Sequence, residues 1–328
     1  MRVADLAAFL ANPCRFFLER RLRLRLQAQD TGDVEEEELF GLDALARYGL
    51  EDELLGQLIA ASEPGEVVEA ARWRWAAAGR LPLGEPGRAE HAGVAQYAAW
   101  LREKLVHAVG PGLKTVTADL AIGPFRLTGT VQVQPRGGVM RWRAGKLRPP
   151  DRLRTWVEHL VAQAMGKGGE SGLLGEGEKP EKVTKLPLLA GFRYQPVEDP
   201  TVALGGLLEQ YWKGLAQPLR FFPRSSMAYA EKMFGAAEAD EGGSGGGGAD
   251  RDRARCGAGT TAQFEQRCAG RPGQVEGQSS LPAGESQDRH IAYCFRGIEN
   301  PLNAEFFDLA WTLLKPLLEC ERKEKEQP

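Results

Sequence analysis

The spacing of apolar residues changes at Thr115 from the helical to the strand period, and that change limits the fold more than any other feature. Upstream, apolar side chains recur at the three-to-four-residue spacing of amphipathic helices; downstream they alternate with polar ones. The spacing predicts helices over Val3–Ala11 and Pro13–Leu26, with Asn12 as N-cap and Pro13 at the first helical position. It predicts two short helices within Leu39–Leu58, broken near Gly49, then helices over Val67–Ala78 and Ala89–Val109. From the change onward it predicts strands over Thr115–Ile122, Phe125–Gln134 and Gly138–Arg143, the last two joined by a hairpin turn at Pro135-Arg136-Gly137-Gly138. Leu153–Met165 returns to helix. Helices, a strand meander and a helix laid on the sheet make an α/β chain of the α+β kind.

Two segments cannot join a core. The acidic run Asp30–Glu38 reads as a solvated loop, and residues 236–290 are rich in Gly, Ser, Arg and Glu and poor in large apolar groups. A segment of that composition cannot bury enough surface to offset its chain entropy, so it is expected to be disordered. Beyond it, Leu302, Phe306, Leu309, Leu313 and Leu317 share one helical face. The expected division is a helical part over 1–114, an αβ core over 115–235, a low-complexity insert over 236–290, and a C-terminal helix over 291–328 that returns to the core.

Several functions are excluded by what is missing. No apolar run is long enough to span a membrane, and the first residues lack a signal-peptide pattern, so a cytoplasmic setting without membrane contact is expected. Cys14, Cys256, Cys268, Cys294 and Cys320 are scattered and never at CxxC spacing, which argues against a disulfide framework or a metal site. Gly112-Leu113-Lys114-Thr115 is not a phosphate loop, because Leu interrupts the Gly-Lys pair. Glu158-His159 lacks catalytic partners in sequence and reads as structural. No cofactor is expected.

The charge distribution is more informative than the net charge of -3. Between Arg126 and Arg154 there are eight Lys or Arg and one acid, Asp151. Arg136, Arg141, Arg143, Lys146, Arg148, Arg152 and Arg154 therefore form a basic strip on or beside the expected hairpin, and Trp142 offers a face for base stacking: candidate DNA contacts. A second cluster, Arg15, Arg20, Arg21, Arg23 and Arg25, is interleaved with Phe16, Phe17 and leucines too densely for one helical stripe. Of these, Arg15, Phe16, Phe17, Arg20 and Arg21 are the candidates for a partner interface.

The order helix, strand, hairpin, helix is that of a PD-(D/E)xK restriction-endonuclease-like core, whose chemistry requires carboxylates on the hairpin strands to hold magnesium. Here no Asp or Glu occurs between Asp119 and Asp151.

Four separated motifs, Asn12-Pro13-Cys14-Arg15-Phe16-Phe17-Leu18, Leu39-Phe40-Gly41-Leu42-Asp43-Ala44-Leu45-Ala46-Arg47-Tyr48-Gly49-Leu50, Gly129 to Arg143, and Trp156-Val157-Glu158-His159-Leu160, resemble in order the C-terminal domain of the RecC family, gamma subunits of RecBCD (exonuclease V) helicase-nucleases. The resemblance extends from Val3 to about Trp212 and resumes over Ala292–Glu319. It implies a degenerate nuclease-like core. Where an active relative has Gly-x-x-Asp this chain has Gly129-Thr130-Val131-Gln132, and Arg141-Trp142-Arg143 stands for Asp-x-Lys. Gln132, Arg141 and Arg143 thus occupy degenerate positions, with no catalytic residue and no metal implied. The implied role is a non-catalytic DNA-binding and scaffolding part of a complex acting in double-strand break repair, with RecB-like and RecD-like helicase subunits and duplex ends or forked DNA as partners. Alternatives are an active nuclease subunit of the AddB type, with an iron-sulfur cluster, and a protein-interaction module without DNA contact.

Overall fold

A computed structural model of the chain describes residues 1–26, 41–109, 112–180, 187–241, 285, 287–298 and 300–327. The expected acidic loop and most of the expected insert lie outside these residues.

Helix α1 (Val3–Ala11) buries Val3, Leu6, Ala7, Phe9 and Leu10. Asn12 then caps α2 (Pro13–Phe16), its Oδ1 accepting from the Arg15 amide at 2.9 Å. The expected helix to Leu26 stops early. A π turn over Phe17–Arg21 follows, closed by Leu22 N donating to Phe17 O, and Arg23 then enters the left-handed region with φ 59°. The alternation of Arg and Leu past that point leaves no apolar stripe to keep the helix going.

Three helices follow: α3 (Ala44–Ala60), α4 (Pro64–Ala77) and α5 (Gly84–Val109). The expected break at Gly49 does not occur. Leu50, Leu54 and Leu58 pack with Trp75 of α4 and Val94 and Ala98 of α5, and that burial outweighs the roughly 1 kcal/mol a helical glycine costs.

The strands sort into two sheets, which corrects the expected meander. Strands β1 (Lys114–Ile122) and β2 (Phe125–Val133) form an antiparallel pair on their own. The turn at Pro135–Gly138 exists, with Gln134 N donating to Gly138 O, yet it does not fold β3 (Met140–Lys146) back on β2. Gly137 and Gly138 have φ of 86° and 76°, and a Cβ on either would sit 2.2 Å from the carbonyl oxygen of Gly168 or Glu170. That close approach turns β3 onto the chain that follows α6 (Pro149–Ala164), so β3 pairs in parallel with β4 (Ser171–Pro180). β4 pairs antiparallel with β5 (Pro187–Tyr194), and β5 with β6 (Glu321–Gln327) at the far edge.

The remaining helices are α7 (Pro200–Gly214), α8 (Pro223–Glu241), α9 (Arg289–Cys294) and α10 (Ala304–Cys320). Regular structure therefore continues six residues into the expected insert. The expected apolar face is right for Phe306, Leu309, Leu313 and Leu317, all buried on α10, whereas Leu302 is buried ahead of its N-cap, Asn303. The mixed architecture agrees with an α+β class. No helix among the described residues is long and apolar enough to cross a membrane.

Helix α6 sits at the centre. Ten of its residues are buried, spread round the whole circumference, as expected of a helix packed on every side. Leu153, Trp156, Val157, Leu160 and Val161 share one core with α1, β1, β2, α7 and α10. His159 is fully buried in this helix, in agreement with the structural reading of Glu158-His159. Its Nδ1 lies 2.7 Å from Ser171 Oγ, and its Nε2 meets both the Gln195 carbonyl at 3.1 Å and the Gln163 side-chain nitrogen at 2.9 Å.

Burial lowers the His159 pKa to about 4, against about 6.5 for a free imidazole, a difference equivalent to roughly 3 kcal/mol. The folded state disfavours the charged ring, so its contribution is whole above pH 6.5 and is lost as pH falls toward 4. The urea midpoint is expected to drop across that window, and His159→Gln to flatten the drop while lowering stability at pH 7; an equal drop in the variant contradicts this assignment.

Candidate nucleic-acid interface

Strand β3 projects Arg141 and Arg143 toward α6, and α6 offers carboxylates in return. Arg141 Nε lies 3.4 Å from Glu158 Oε2, and Arg154 Nε lies 3.3 Å from Glu158 Oε1. Arg143 Nη1 donates to both oxygens of Asp151, at 2.9 and 3.1 Å, and its guanidinium stands 5.0 Å over the Tyr48 ring. Asp151 Oδ2 also accepts from the Arg148 amide at 2.9 Å, so one carboxylate both caps α6 and anchors Arg143. A concavity of about 340 Å³ opens here, lined by Tyr48, Asp52 and Gly56 of α3, by β3, by Leu173, and by Asp151, Arg154 and Thr155 of α6.

The expected basic strip is divided by the fold. Arg141 and Arg143 are mostly buried and paired; Lys146, Arg148 and Arg154 face solvent at one end of β3. Arg136 is exposed in the turn at the other end, about 23 Å away for a seven-residue strand. Gln132 is exposed on β2, in the other sheet, and does not line the concavity. Trp142 packs with Met140, Ala144 and Leu174 on the side facing α3 and α5, which leaves only part of its ring beside the opening.

Arg152 is a correction. It faces the interior, where its Nε donates to Glu321 Oε1 at 3.0 Å, its Nη2 pairs with Glu321 Oε2, its Nη1 pairs with Glu231, and its guanidinium lies 4.4 Å over Phe192. A guanidinium so enclosed has no surface to offer phosphate. It ties α6 to α8 and to the start of β6.

The N-terminal cluster is also sorted by burial. Phe16 lies in the core between Phe9 and Tyr211, with ring centroids 5.8 and 5.5 Å away, so it cannot itself touch a partner. Phe17 is half-buried, and Arg21 donates to the Leu215 carbonyl. Arg15, Glu19, Arg20, Arg23 and Arg25 line an open concavity of about 690 Å³. The side chains of Arg20, Arg23 and Arg25 make no hydrogen bond or ion pair with any described residue, and Leu22 and Leu24 are exposed beside them.

Sequence reasoning missed Tyr48, Asp52 and Gly56. They fall at i, i+4 and i+8 on α3, away from the leucine stripe, a spacing that marks one face. Nothing local says that this face meets β3. Among the described residues no group of three His, Cys, Asp or Glu side chains is placed to hold a metal ion.

Fold and site together define a mixed α+β domain in which a parallel strand–helix–strand unit carries a cation-bordered concavity. The chain belongs to the RecC C-terminal domain family, whose model matches residues 1–234. It is 31% identical over 232 residues to the RecBCD enzyme subunit RecC of Escherichia coli (strain K12), covering 70% of this chain and 19% of that protein. It is 20% identical over 235 residues to the RecBCD enzyme subunit RecC of Buchnera aphidicola subsp. Acyrthosiphon pisum (strain APS), covering 71% and 20%. The chain thus spans about a fifth of the length of these curated relatives.

If Arg152 is an internal clamp, Arg152→Met leaves Glu321 buried without its partner. The expected loss is about 3–5 kcal/mol in chemical denaturation, and Arg152→Met with Glu321→Met restores most of it. A cost below about 1 kcal/mol for the single variant contradicts the clamp.

Proposed function

We propose that this domain is a non-catalytic DNA-binding and docking part of a RecBCD-type helicase-nuclease that acts in double-strand break repair by homologous recombination. In this reading it helps bind duplex ends and split strands, with RecB-like and RecD-like subunits and double-stranded DNA ends or forked DNA as partners. The observation that supports it most is the pairing at the degenerate positions. Where a magnesium site would need carboxylates facing the substrate, Arg141 and Arg143 stand instead, and the nearby Glu158 and Asp151 are occupied by those arginines. Arg154 at the opening, with Lys146 and Arg148 at the end of β3 and just beyond it, are solvent-facing cations suited to phosphate. Arg136 sits too far along β3 to share one phosphate with them and would meet a different part of the duplex.

The N-terminal surface is proposed as the docking face. Exposed Leu22 and Leu24 alternate there with arginines that outnumber the one acid of the concavity, Glu19, which suits a partner face that is both acidic and apolar.

A labelled forked duplex tests the reading. The purified chain is expected to retain the duplex without cutting it in magnesium. Reversing charge at Lys146, Arg148 and Arg154 is expected to weaken binding and to reduce the slope of log K against log salt by roughly 0.9 for each phosphate no longer neutralised. Magnesium-dependent cleavage that survives repurification would overturn the non-catalytic reading. An unchanged salt slope in the triple variant would favour an interaction module without DNA contact.

A further inference from the structure

Residues 12–19 and 288–294 meet along a seam that sequence separation hides. Asn12 Nδ2 donates to Asp288 Oδ2 at 2.9 Å, and His290 Nε2 lies 3.5 Å from Glu19 Oε1. Between these contacts Cys294 of α9 reaches Cys14 of α2: its Sγ is 4.0 Å from the Cys14 carbonyl oxygen. Both sulfurs pack in one apolar cluster with Phe222, Tyr229, Ile291 and Phe306. Cys14 is fully buried and Cys294 is partly exposed. Scattered cysteines in the sequence are therefore, in part, a pair in space.

We propose that Cys14 and Cys294 are a redox-reactive thiol pair that closes to a reversible disulfide by exchange with a small-molecule disulfide such as oxidised glutathione. The two thiols have different parts. The closeness of the two thiols favours the Cys294 thiolate and, together with burial, holds Cys14 protonated. Cys294, the accessible member, is the attacking group and Cys14 the resolving one. The Cys294 thiolate attacks one sulfur of glutathione disulfide; its S–S bond breaks and one glutathione thiolate leaves. Cys294 then carries no negative charge, so the charge that disfavoured ionisation of Cys14 is gone. Cys14 gives up its proton, and its thiolate attacks the Cys294 sulfur and expels the second glutathione thiolate. Two protein thiols are oxidised and one disulfide is reduced to two thiols, with no other electron carrier required.

The consequence is local and long-range at once. The new bond would lock α9, and with it the cluster of α8 and α10, to the segment that carries Arg15, Arg20 and Arg23. It would also close a loop between residues 14 and 294 and so restrict the unfolded chain.

The full chain is equilibrated in glutathione redox buffers of increasing oxidation, alkylated, and digested without reduction. The expected result is a Cys14 peptide joined to the Cys294 peptide, with two of the five thiols withdrawn from alkylation and restored by dithiothreitol. The oxidised form is also expected to melt at a higher temperature than the reduced one. Cys14→Ser should accumulate the Cys294–glutathione adduct, whereas Cys294→Ser should leave Cys14 unmodified. Peptide mapping of the unaltered chain stands even where a variant folds poorly. Two separately alkylated peptides at every redox poise, or pairing of either thiol with Cys256, Cys268 or Cys320, overturns the proposal. So does iron-dependent visible absorbance with both thiols shielded until the iron is chelated.

Discussion

The structure depends on burying one helix, α6, on every side. Most helices of a domain this size hide one stripe and wet the other, but Arg152 through Ala162 offers solvent little beyond Arg154. Total burial forces each polar group on this helix to find an internal partner, because an unpaired one would cost as much as a core truncation. Arg152 takes Glu321 and Glu231, Glu158 takes Arg141 and Arg154, and His159 takes Ser171 and the Gln195 carbonyl. These partners belong to α8, β3, β4, the chain after β5, and β6. The helix therefore fixes not only the apolar core but also which strands can stand beside which.

That constraint explains why the strand order departs from the simplest reading of the sequence. Adjacent strands with a glycine-containing turn usually pair. Here the chain spends its turn glycines on a close backbone approach between Gly137-Gly138 and Gly168–Glu170, so that β3 runs parallel to β4 with α6 as the crossover. Ser171 joins the two requirements. Its hydroxyl accepts from the Val139 amide at 2.8 Å and hydrogen-bonds with His159 at 2.7 Å, tying the entry to β3 and the start of β4 to the buried helix.

Helices α1, α4, α5, α6 and α10 were legible because an amphipathic helix writes its own spacing, and β1 and β2 because alternation does the same, whereas α7 and α8 were not read. The rest was written elsewhere. β4 is half glycine and charge in Gly175-Glu176-Gly177-Glu178, and β6 is Glu-Arg-Lys-Glu-Lys-Glu-Gln, an edge strand held by backbone pairing to β5 with no apolar alternation to announce it. Gly49 misled in the opposite direction, since tertiary burial of its neighbours overrode a local propensity. For the candidate site, residue type was legible and residue orientation was not. Arg152 and Arg154 are two positions apart and equally basic, yet helical geometry sends one inward to Glu321 and leaves the other in solvent.

The same geometry decides how much positive potential the surface keeps. A strip of eight basic residues with one acid suggests a strong, continuous field. In the folded chain Glu158, Asp151, Glu321 and Glu231 come from outside or from the end of that strip and neutralise Arg141, Arg143 and Arg152 at close range. What reaches solvent is Lys146 and Arg148 at one end and Arg136 at the other, with the exposed Arg126 and Arg154 answered in part by Asp119 and Glu158. The buried pairs are screened little by salt, whereas the solvent-facing cations are screened strongly. Raising ionic strength therefore weakens the field that would meet a polyanion while leaving intact the pairs that hold β3 against α6. The arginines that hold β3 against α6 are thus not the cations that face solvent, although one short stretch of sequence supplies both.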